Sequence, residues 1–243
     1  NYMNAYTELA TLYSDLEEFA KAEEVCAKAA EIDSKNLWLL NTMGTIQAEQ
    51  GKFAEAIEYY KTAIKTSPPT LGPLYNNMGE ICFQMGQYDK AIECYTKAIE
   101  HRSKYAHTGL GYVYLVLGEF YRAESTLLQA IQNRQYSEEP KIILALTYLH
   151  QGKREQARQY FDEAMKFCDR TQRIDNQLNK VIVLLGLHQI DEALQLLEHL
   201  TDNFTIGPIR VKGCLRYLEL LASAPGAPEG IQRFLEGARV QLE

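Results

Sequence analysis

Small residues, glycines and aromatic residues recur at a regular spacing along most of this chain. The segments 44–63 and 79–98 show the pattern most clearly, because their matching positions lie 35 residues apart. The first small residues of successive copies are separated by 34, 35, 32 and 34 positions. These residues are Ala10, Gly44, Gly79, Gly111 and Ala145. A period of this length predicts a series of similar helical or mixed units that stack side by side.

The spacing resembles the tetratricopeptide repeat, which implies that each unit forms two antiparallel helices, A and B. The small residue in the middle of helix A lets helix B approach, and a small residue early in helix B makes the reciprocal contact. The residues at this second position are Ala22, Ala56, Ala91, Ala123 and Ala157. A single pair cannot bury its apolar stripe, so neighbouring pairs must stack into one continuous core. The terminal units are therefore expected to have more polar outer faces.

Glycines and prolines indicate where the helices end. Helix A is predicted to end at a left-handed residue, a conformation that glycine adopts without strain. Four units have glycine there: Gly51, Gly86, Gly118 and Gly152. Glu17 and His188 stand at the equivalent turns of the first and sixth units, where a less ideal turn is expected. Pro68 and Pro69 are predicted to stop a helix B. The joint at 101–107 is two residues short, which predicts a local change of superhelical pitch.

The period and spacing resemble the tetratricopeptide repeat over about residues 3–171, and a degenerate form continues to about residue 205. The resemblance implies an all-α fold, a right-handed α-solenoid of antiparallel helix pairs with about six to seven repeats. The expected repeats are residues 1–36, 37–71, 72–103, 104–137 and 138–172, with a degenerate sixth repeat at 173–206. Residues 207–243 are predicted to contain two more helices, about 209–222 and 229–241, that form a degenerate seventh pair or a cap.

Composition argues against several classes of protein. Apolar residues make up 46% of the chain, which is ample for a buried core. The net charge of −7 argues against binding to a phosphate backbone, which requires a clustered basic surface. The longest apolar runs, 142–146 and 181–185, are too short to cross a bilayer, and no signal peptide opens the chain. We therefore expect a cytoplasmic protein without nucleic-acid binding or membrane insertion. The first residue is Asn, which weakly indicates a segment of a larger protein.

No residue pattern in the sequence indicates catalysis. The phosphate-loop, dinucleotide-binding, zinc-protease and nucleophile-elbow motifs are absent, and the five histidines are scattered over different units. The five cysteines include no C-x-x-C pair, so reduced and mostly buried thiols are expected. A disulfide framework or a metal site is the less favoured alternative. The chain is expected not to be an enzyme and to hold neither a cofactor nor a metal.

The resemblance implies that the A helices line a concave groove in which a partner binds. In the first three units the lining is polar, and asparagine amides there can both donate to and accept from an extended peptide backbone. The predicted polar contacts are Asn41, Thr45, Asn76, Asn77 and Glu80. In the fourth and fifth units the lining is largely apolar. The predicted contacts there are Tyr105, Thr108, Tyr112, Leu115, Ile142 and Leu146.

Two alternatives stay open for each half of this groove. The apolar half either takes a partner's amphipathic helix or hydrophobic peptide, or is covered by the chain's own C-terminal helices or buried by tight superhelical winding. The asparagines of the polar half either bind a peptide or are merely tolerated on a solvated helix face.

The predicted function is that of a protein-interaction scaffold or adaptor that binds a partner peptide or helix in this groove. The alternative is a regulatory or substrate-recognition segment of a larger enzyme, or of a secretion or assembly complex. Self-association through the repeat ends is a second way in which the chain is expected to make contacts. Tetratricopeptide domains that bind chaperone C-termini carry a clamp of Lys, Asn and Arg side chains, and only Asn77 matches it here. An acidic chaperone tail is therefore not the expected partner.

Overall fold

The computed structural model describes residues 2–66, 71–133, 137–170, 173–204, 206 and 208–242. These residues form fourteen α-helices and contain no strand. In chain order the helices are α1 (Tyr2–Asp15), α2 (Phe19–Asp33), α3 (Leu37–Glu49), α4 (Phe53–Thr66), α5 (Leu71–Gln84), α6 (Tyr88–Glu100), α7 (Ala106–Val116), α8 (Phe120–Gln132), α9 (Glu139–His150), α10 (Arg154–Cys168), α11 (Ile174–Gly186), α12 (Ile190–Asn203), α13 (Pro208–Ser223) and α14 (Ile231–Leu242). The predicted all-α fold of about seven helix pairs is confirmed over this part of the chain. Pro68 and Pro69, the predicted helix stop, lie outside the described residues.

The A and B helices differ in how completely they are enclosed. In the B helix α6 the buried residues are Ala91, Tyr95 and Ala98, whose spacing places them on one face. In the A helix α9 every residue from Ile142 to Leu149 is buried. Helix α9 packs against α8, α10, α11 and α13. Because neighbouring helices surround it, its sequence does not show the apolar and polar sides of an amphipathic helix. Within each unit, we call the side of an A helix that points away from its own B helix the inner side.

Gly44 shows why the middle of helix A must be small. A Cβ atom built on Gly44 would lie 2.5 Å from a ring carbon of Tyr60, and Tyr60 is only 1% exposed. No larger side chain fits between the ring and the α3 backbone unless one of them moves. The repeat pattern predicts a close approach of the two helices. The structure shows it as a direct contact between the Tyr60 ring and the backbone of α3 at Gly44.

The turn after α3 ends as the pattern predicts. Gly51 is left-handed, with φ 75°. Its N–H donates to the carbonyl of Ala48 at 2.9 Å, and the N–H of Lys52 donates to the carbonyl of Gln47 at 2.9 Å. These two bonds make a Schellman motif, which satisfies the last carbonyls of the helix.

Three residues other than glycine adopt the same left-handed conformation. Glu17 has φ 59° and His188 has φ 65°, at the two turns where the sequence lacks glycine. Arg102, with φ 58°, ends α6 in the same way, and the sequence had not predicted it. The N–H of Ser103 then donates to the carbonyl of Ala98 at 2.8 Å, which closes the shortened joint. The geometry of the turn is therefore kept where its glycine is missing.

The chain divides into two compact units, residues 1–109 and 110–243. In the first unit the helices pair as α1–α2, α3–α4 and α5–α6, and α3 and α5 also pack on the B helix that precedes each of them. Leu39 and Ile46 of α3 belong to the same buried cluster as Val25 and Ala29 of α2. Stacking of neighbouring pairs thus completes a core that pairing alone leaves open.

In the second unit α9, α11 and α13 are neighbouring A helices. Helix α13 packs on both α9 and α11, and α14 packs on α12 and α13. Most of the exposed side chains described for α14 are polar, as expected of a terminal unit: Gln232, Arg233, Glu236 and Arg239.

The same expectation is wrong for the first unit. Tyr2, Leu9, Leu12 and Leu16 are exposed on or just after α1. The outer side of the first helix is therefore apolar instead of polar.

Candidate partner-binding surface

Three of the predicted polar contacts, Asn41, Thr45 and Asn77, form a hydrogen-bonded network on α3 and α5. The Asn77 amide nitrogen donates to the Asn41 side-chain oxygen at 3.1 Å. The Thr45 hydroxyl donates to the Asn41 carbonyl at 3.1 Å and lies 3.2 Å from the Tyr60 hydroxyl. Burial raises the pKa of Tyr60 to about 12, although hydrogen bonds from Thr45 and Asn77 act in the opposite direction. Tyr60 is thus a neutral phenol that holds this network in place.

Part of the amide hydrogen-bonding capacity at this surface is unused. The Asn41 side chain accepts through its oxygen, and its NH₂ group makes no hydrogen bond to the described residues. The side chain of Asn76, one position before Asn77, is half-buried and makes no hydrogen bond to that part of the chain either. A carboxamide with free donors or acceptors on a fixed helix face can bind a peptide backbone.

Glu80 presents a fixed negative charge next to this network. The Tyr95 hydroxyl donates to one of its carboxylate oxygens at 3.0 Å, and the Gln84 amide donates to the other at 3.0 Å. Tyr95 is buried, while Glu80 itself is exposed. The ring of Tyr95 therefore anchors a carboxylate that faces outward.

A groove of about 560 Å³ continues the surface onto α1 and the start of α3. Its lining residues are Asn4, Thr7, Glu8, Thr11, Leu12, Asp15, Trp38 and Thr42. Trp38 is the only tryptophan of the chain and is 53% exposed. None of these residues is among the predicted contacts. Trp38 could have been predicted, because it occupies the same repeat position as Tyr105, which is among them.

Charge on these A helices has one sign only. The described helices α1, α3 and α5 carry the carboxylates Glu8, Asp15, Glu49 and Glu80 and no lysine or arginine. Glu49 accepts a hydrogen bond from Ser14 on α1, which places it between the first two A helices. The lysines of these first three pairs lie on the B helices or in the turns. The inner side of the first unit is therefore acidic.

The predicted apolar contacts are placed very differently. Thr108, Leu115, Ile142 and Leu146 are all buried, the last two with 1% and 0% exposure. Of the predicted aromatic contacts, Tyr105 is exposed and Tyr112 is half-buried. A partner can therefore contact Tyr105 directly, but not Ile142 or Leu146 as they are packed here.

Helix α13 covers the inner side of α9 in the second unit. Its Tyr217 ring lies 5.3 Å from the ring of Tyr112, and its hydroxyl donates to Glu139 at 3.0 Å. The imidazole of His150 makes a 3.0 Å hydrogen bond to the carbonyl of Leu220. Helix α13 therefore lies against both ends of α9, at Glu139 and at His150.

A cleft of about 780 Å³ lies among the N-terminal ends of α9, α11 and α13. It holds both signs of charge, and several of these groups bond one another. Buried Glu138 accepts from Asn176 at 2.7 Å and from Asn179 at 2.8 Å. Arg210 donates to Asp175 at 2.8 Å. These bonds tie α11 to its neighbours, so the cleft is explained by packing.

The cysteines are buried or half-buried thiols. All five cysteines are free, and burial raises the pKa of Cys26 to about 11 and of Cys94 and Cys168 to about 12. The described residues contain no cluster of three or more potential metal ligands. Among the described helices, none combines the length and the apolar character that a bilayer span requires.

Comparison with known proteins identifies the repeat. The tetratricopeptide repeat family matches residues 1–68, 73–105 and 143–171, together more than half of the chain. No curated protein matches the whole sequence significantly.

Solved structures share the fold at low sequence identity. The type IV pilus biogenesis factor PilW has 20% identity and a TM-score of 0.62, over 88% of this chain and 99% of its own. The tetratricopeptide protein TTC0263 of Thermus thermophilus has 21% identity and a TM-score of 0.63, over 75% and 99%. The Cut9–Hcn1 complex of the APC/C has 18% identity and a TM-score of 0.66, over 96% of this chain and 48% of that one. Stacked helix pairs of this kind build extended surfaces for protein interaction. The chain belongs to the tetratricopeptide repeat proteins.

Proposed function

We propose that this protein is an interaction scaffold that holds an extended, basic peptide segment of a partner on the inner faces of α1, α3 and α5. The observation that carries the proposal is the one-sided charge of these helices, which contain four carboxylates and no cation. Carboxylates facing one surface attract Lys and Arg side chains and speed their encounter.

The neutral groups of the surface supply the remaining contacts. The free amide groups of Asn41 and Asn76 are placed to bind the backbone of the peptide, and Asn77 and Thr45 hold Asn41 in position. The exposed ring of Trp38 offers a face for a cationic side chain, and exposed Tyr105 on the other side offers a second one. An extended peptide advances about 3.3 Å per residue, so about ten residues reach across several helices.

The second unit supports this choice of site by contrast. Its apolar positions Ile142 and Leu146 are buried, and the carboxylate Glu138 of its cleft is already satisfied by two asparagines. Within the described part of the chain, the inner faces of the first unit are where accessible side chains, exposed carboxylates and free amides occur together. The proposed role is binding, and no group in it acts on a covalent bond.

The test measures the anisotropy of labelled twelve-residue peptides that differ only in charge: one rich in Lys and Arg, one with Gln in their place and one with Glu. The wild-type chain should bind the basic peptide and not the acidic one. The triple variant Glu8→Gln, Asp15→Asn, Glu80→Gln should bind it about tenfold or more weakly, because three exposed charge pairs at about 0.2–1 kcal/mol each are lost.

The matched control removes carboxylates from the exposed faces of B helices, with Glu31→Gln and Glu55→Gln. It should leave the affinity within about twofold of wild type. Equal binding of the acidic and basic peptides, or equal loss in the control variant, would contradict the proposed site.

A further inference from the structure

The outer side of α1 carries a continuous apolar stripe that no described part of the chain covers. It consists of Tyr2, Ala5, Leu9, Leu12 and Leu16, all exposed, with Leu9 at 41% and Leu16 at 61%. Their spacing of three and four residues places them on one helix face. The buried residues Met3 and Ala10 lie on the opposite face, against the rest of the unit. The stripe is thus the size and shape of a helix–helix interface with one partner missing.

The next two repeats show what kind of element fits this stripe. Ala5, Leu9 and Leu12 correspond in repeat position to Leu39, Met43 and Ile46 of α3, and to Leu74, Met78 and Ile81 of α5. Leu39, Ile46, Leu74 and Ile81 are at most 2% exposed.

In each case the cover is the preceding B helix. The α3 residues share a buried cluster with Val25, Cys26 and Ala29 of α2. The α5 residues share one with Ala56, Tyr60 and Ala63 of α4. A helix with small and medium apolar residues at this spacing is therefore the shape that the α1 stripe accepts.

The charge beside the stripe selects among such helices. Glu8 and Asp15 lie one helical turn from Leu12, on the border of the stripe, and neither has an ion-pair partner among the described residues. Helix α1 contains no lysine or arginine, and Glu17 lies in the turn that follows it. The fitting helix therefore carries Lys or Arg along this border.

A second copy of the chain does not meet this requirement. Two α1 faces placed together would bring like carboxylates against each other. The exposed side of α14 presents polar side chains, Val240 excepted, so the last described helix offers no apolar stripe in return.

We propose that the outer face of α1 docks an amphipathic helix of a partner protein, with small aliphatic residues in the register of α2 and a basic edge beside Glu8 and Asp15. This surface borders the inner groove, with which it shares Leu12, Glu8 and Asp15. Leu9 and Leu16 lie outside that groove, so a change at these two leucines tests the outer face alone.

The probe for the test is a helix-constrained synthetic peptide with the sequence of residues 19–33. It carries Cys26→Ala and the charge changes Glu23→Lys, Glu24→Lys and Glu31→Lys. A second peptide with the opposite changes, Lys21→Glu and Lys28→Glu, has the same apolar stripe and an acidic edge. Binding to the full chain is measured by fluorescence anisotropy and by isothermal titration calorimetry.

The basic probe should bind the wild-type chain, and the acidic probe should bind at least about tenfold more weakly. The variant Leu9→Ser, Leu16→Ser should weaken the basic probe by about tenfold or more, because two apolar contacts are lost. The control variant Leu117→Ser, Leu194→Ser changes two other exposed leucines and should bind as wild type does. Equal circular dichroism and melting temperature of both variants establish that they fold.

Three results overturn the proposal. The first is no binding of the basic probe to the wild-type chain, and the second is equal binding to the Leu9→Ser, Leu16→Ser variant. The third is a wild-type dimer in sedimentation equilibrium that this variant dissociates, which assigns the face to a second copy.

Discussion

At the residue scale, the close packing of α3 on α4 depends on the absence of a side chain at Gly44. Gly44 leaves room for the ring of Tyr60, and this ring carries the hydroxyl to which Thr45 and Asn77 bond. The space left by Gly44 therefore supports both the close packing between α3 and α4 and the polar network on the inner face. A larger residue at position 44 is expected to affect both the core and the proposed peptide site.

Gly44→Ala is expected to destabilise the chain by about 1–3 kcal/mol, because the new Cβ would overlap the Tyr60 ring. The measurement is the urea midpoint followed by circular dichroism. Gly237→Ala in α14 is the matched control, since nothing lies within 4 Å of its Cβ position. Replacing a helical glycine there should stabilise by about 0.5–1 kcal/mol. A Gly44→Ala chain as stable as wild type would show that the ring moves aside at no cost.

At the element scale, one helix decides which inner faces are open. Helix α13 lies on α9 and α11, and its contacts include Tyr217 with Tyr112 and Leu220 with His150. On α3 and α5, no described helix lies over the inner side in this way. Asn41, Asn76 and Glu80 remain accessible there. The A helices of the two units therefore differ in how far their inner faces are covered by other described residues.

The docking of α13 should weaken as pH falls below neutrality. Burial lowers the pKa of His150 below its ordinary value, so the folded state binds this proton less readily than the unfolded chain. The stabilising contribution of neutral His150 is complete above the ordinary pKa of about 6.5 and is lost as pH falls through the folded pKa. Wild-type melting temperature should therefore drop between about pH 7.5 and 5.5.

His150→Gln keeps a donor for the Leu220 carbonyl and should flatten this dependence, leaving a smaller slope from His107, whose pKa burial also lowers. The exposed His199→Gln is the control and should melt with the wild-type pH dependence. A His150→Gln profile parallel to wild type would locate the titrating group elsewhere.

At the scale of the whole molecule, the net charge of −7 is less informative than its distribution. In the first unit the A helices are purely acidic, while each B helix mixes lysines with glutamates in pairs such as Lys28–Glu24 and Lys97–Glu93. Exposed pairs of this kind contribute little to stability. The carboxylates of α1, α3 and α5 have no lysine or arginine on their own helices, whereas several carboxylates of the B helices are paired with lysines.

Binding of the basic peptide is expected to depend strongly on salt. Raising NaCl from about 50 to 500 mM shortens the Debye length to about 4 Å, so the affinity should fall by about tenfold or more. The Gln-substituted peptide is the control and should lose little. Anisotropy titrations over a series of salt concentrations measure both. Parallel salt curves for the two peptides would mean that charge does not choose the partner.

Much of the fold follows from short-range features of the sequence. Small residues at fixed spacing, and glycine at the ends of the A helices, determine which helices pair and how they turn, because these contacts involve residues within one or two repeats. Even Glu17 and His188 take the left-handed turn that their repeat position requires. The same reasoning missed Arg102, since arginine is no signal for a left-handed residue.

Accessibility of the candidate site was decided by the tertiary structure. The residue that bonds His150 lies 70 positions away, in a degenerate region where the repeat marks fade, so the cover over α9 leaves no local pattern. Asn41 and Asn77 are likewise joined only because α3 and α5 stack. The sequence by itself determined that this chain is a stack of helix pairs. Which faces of that stack stay open was decided by long-range packing, because a helix face is exposed only if no distant segment of the chain lies on it.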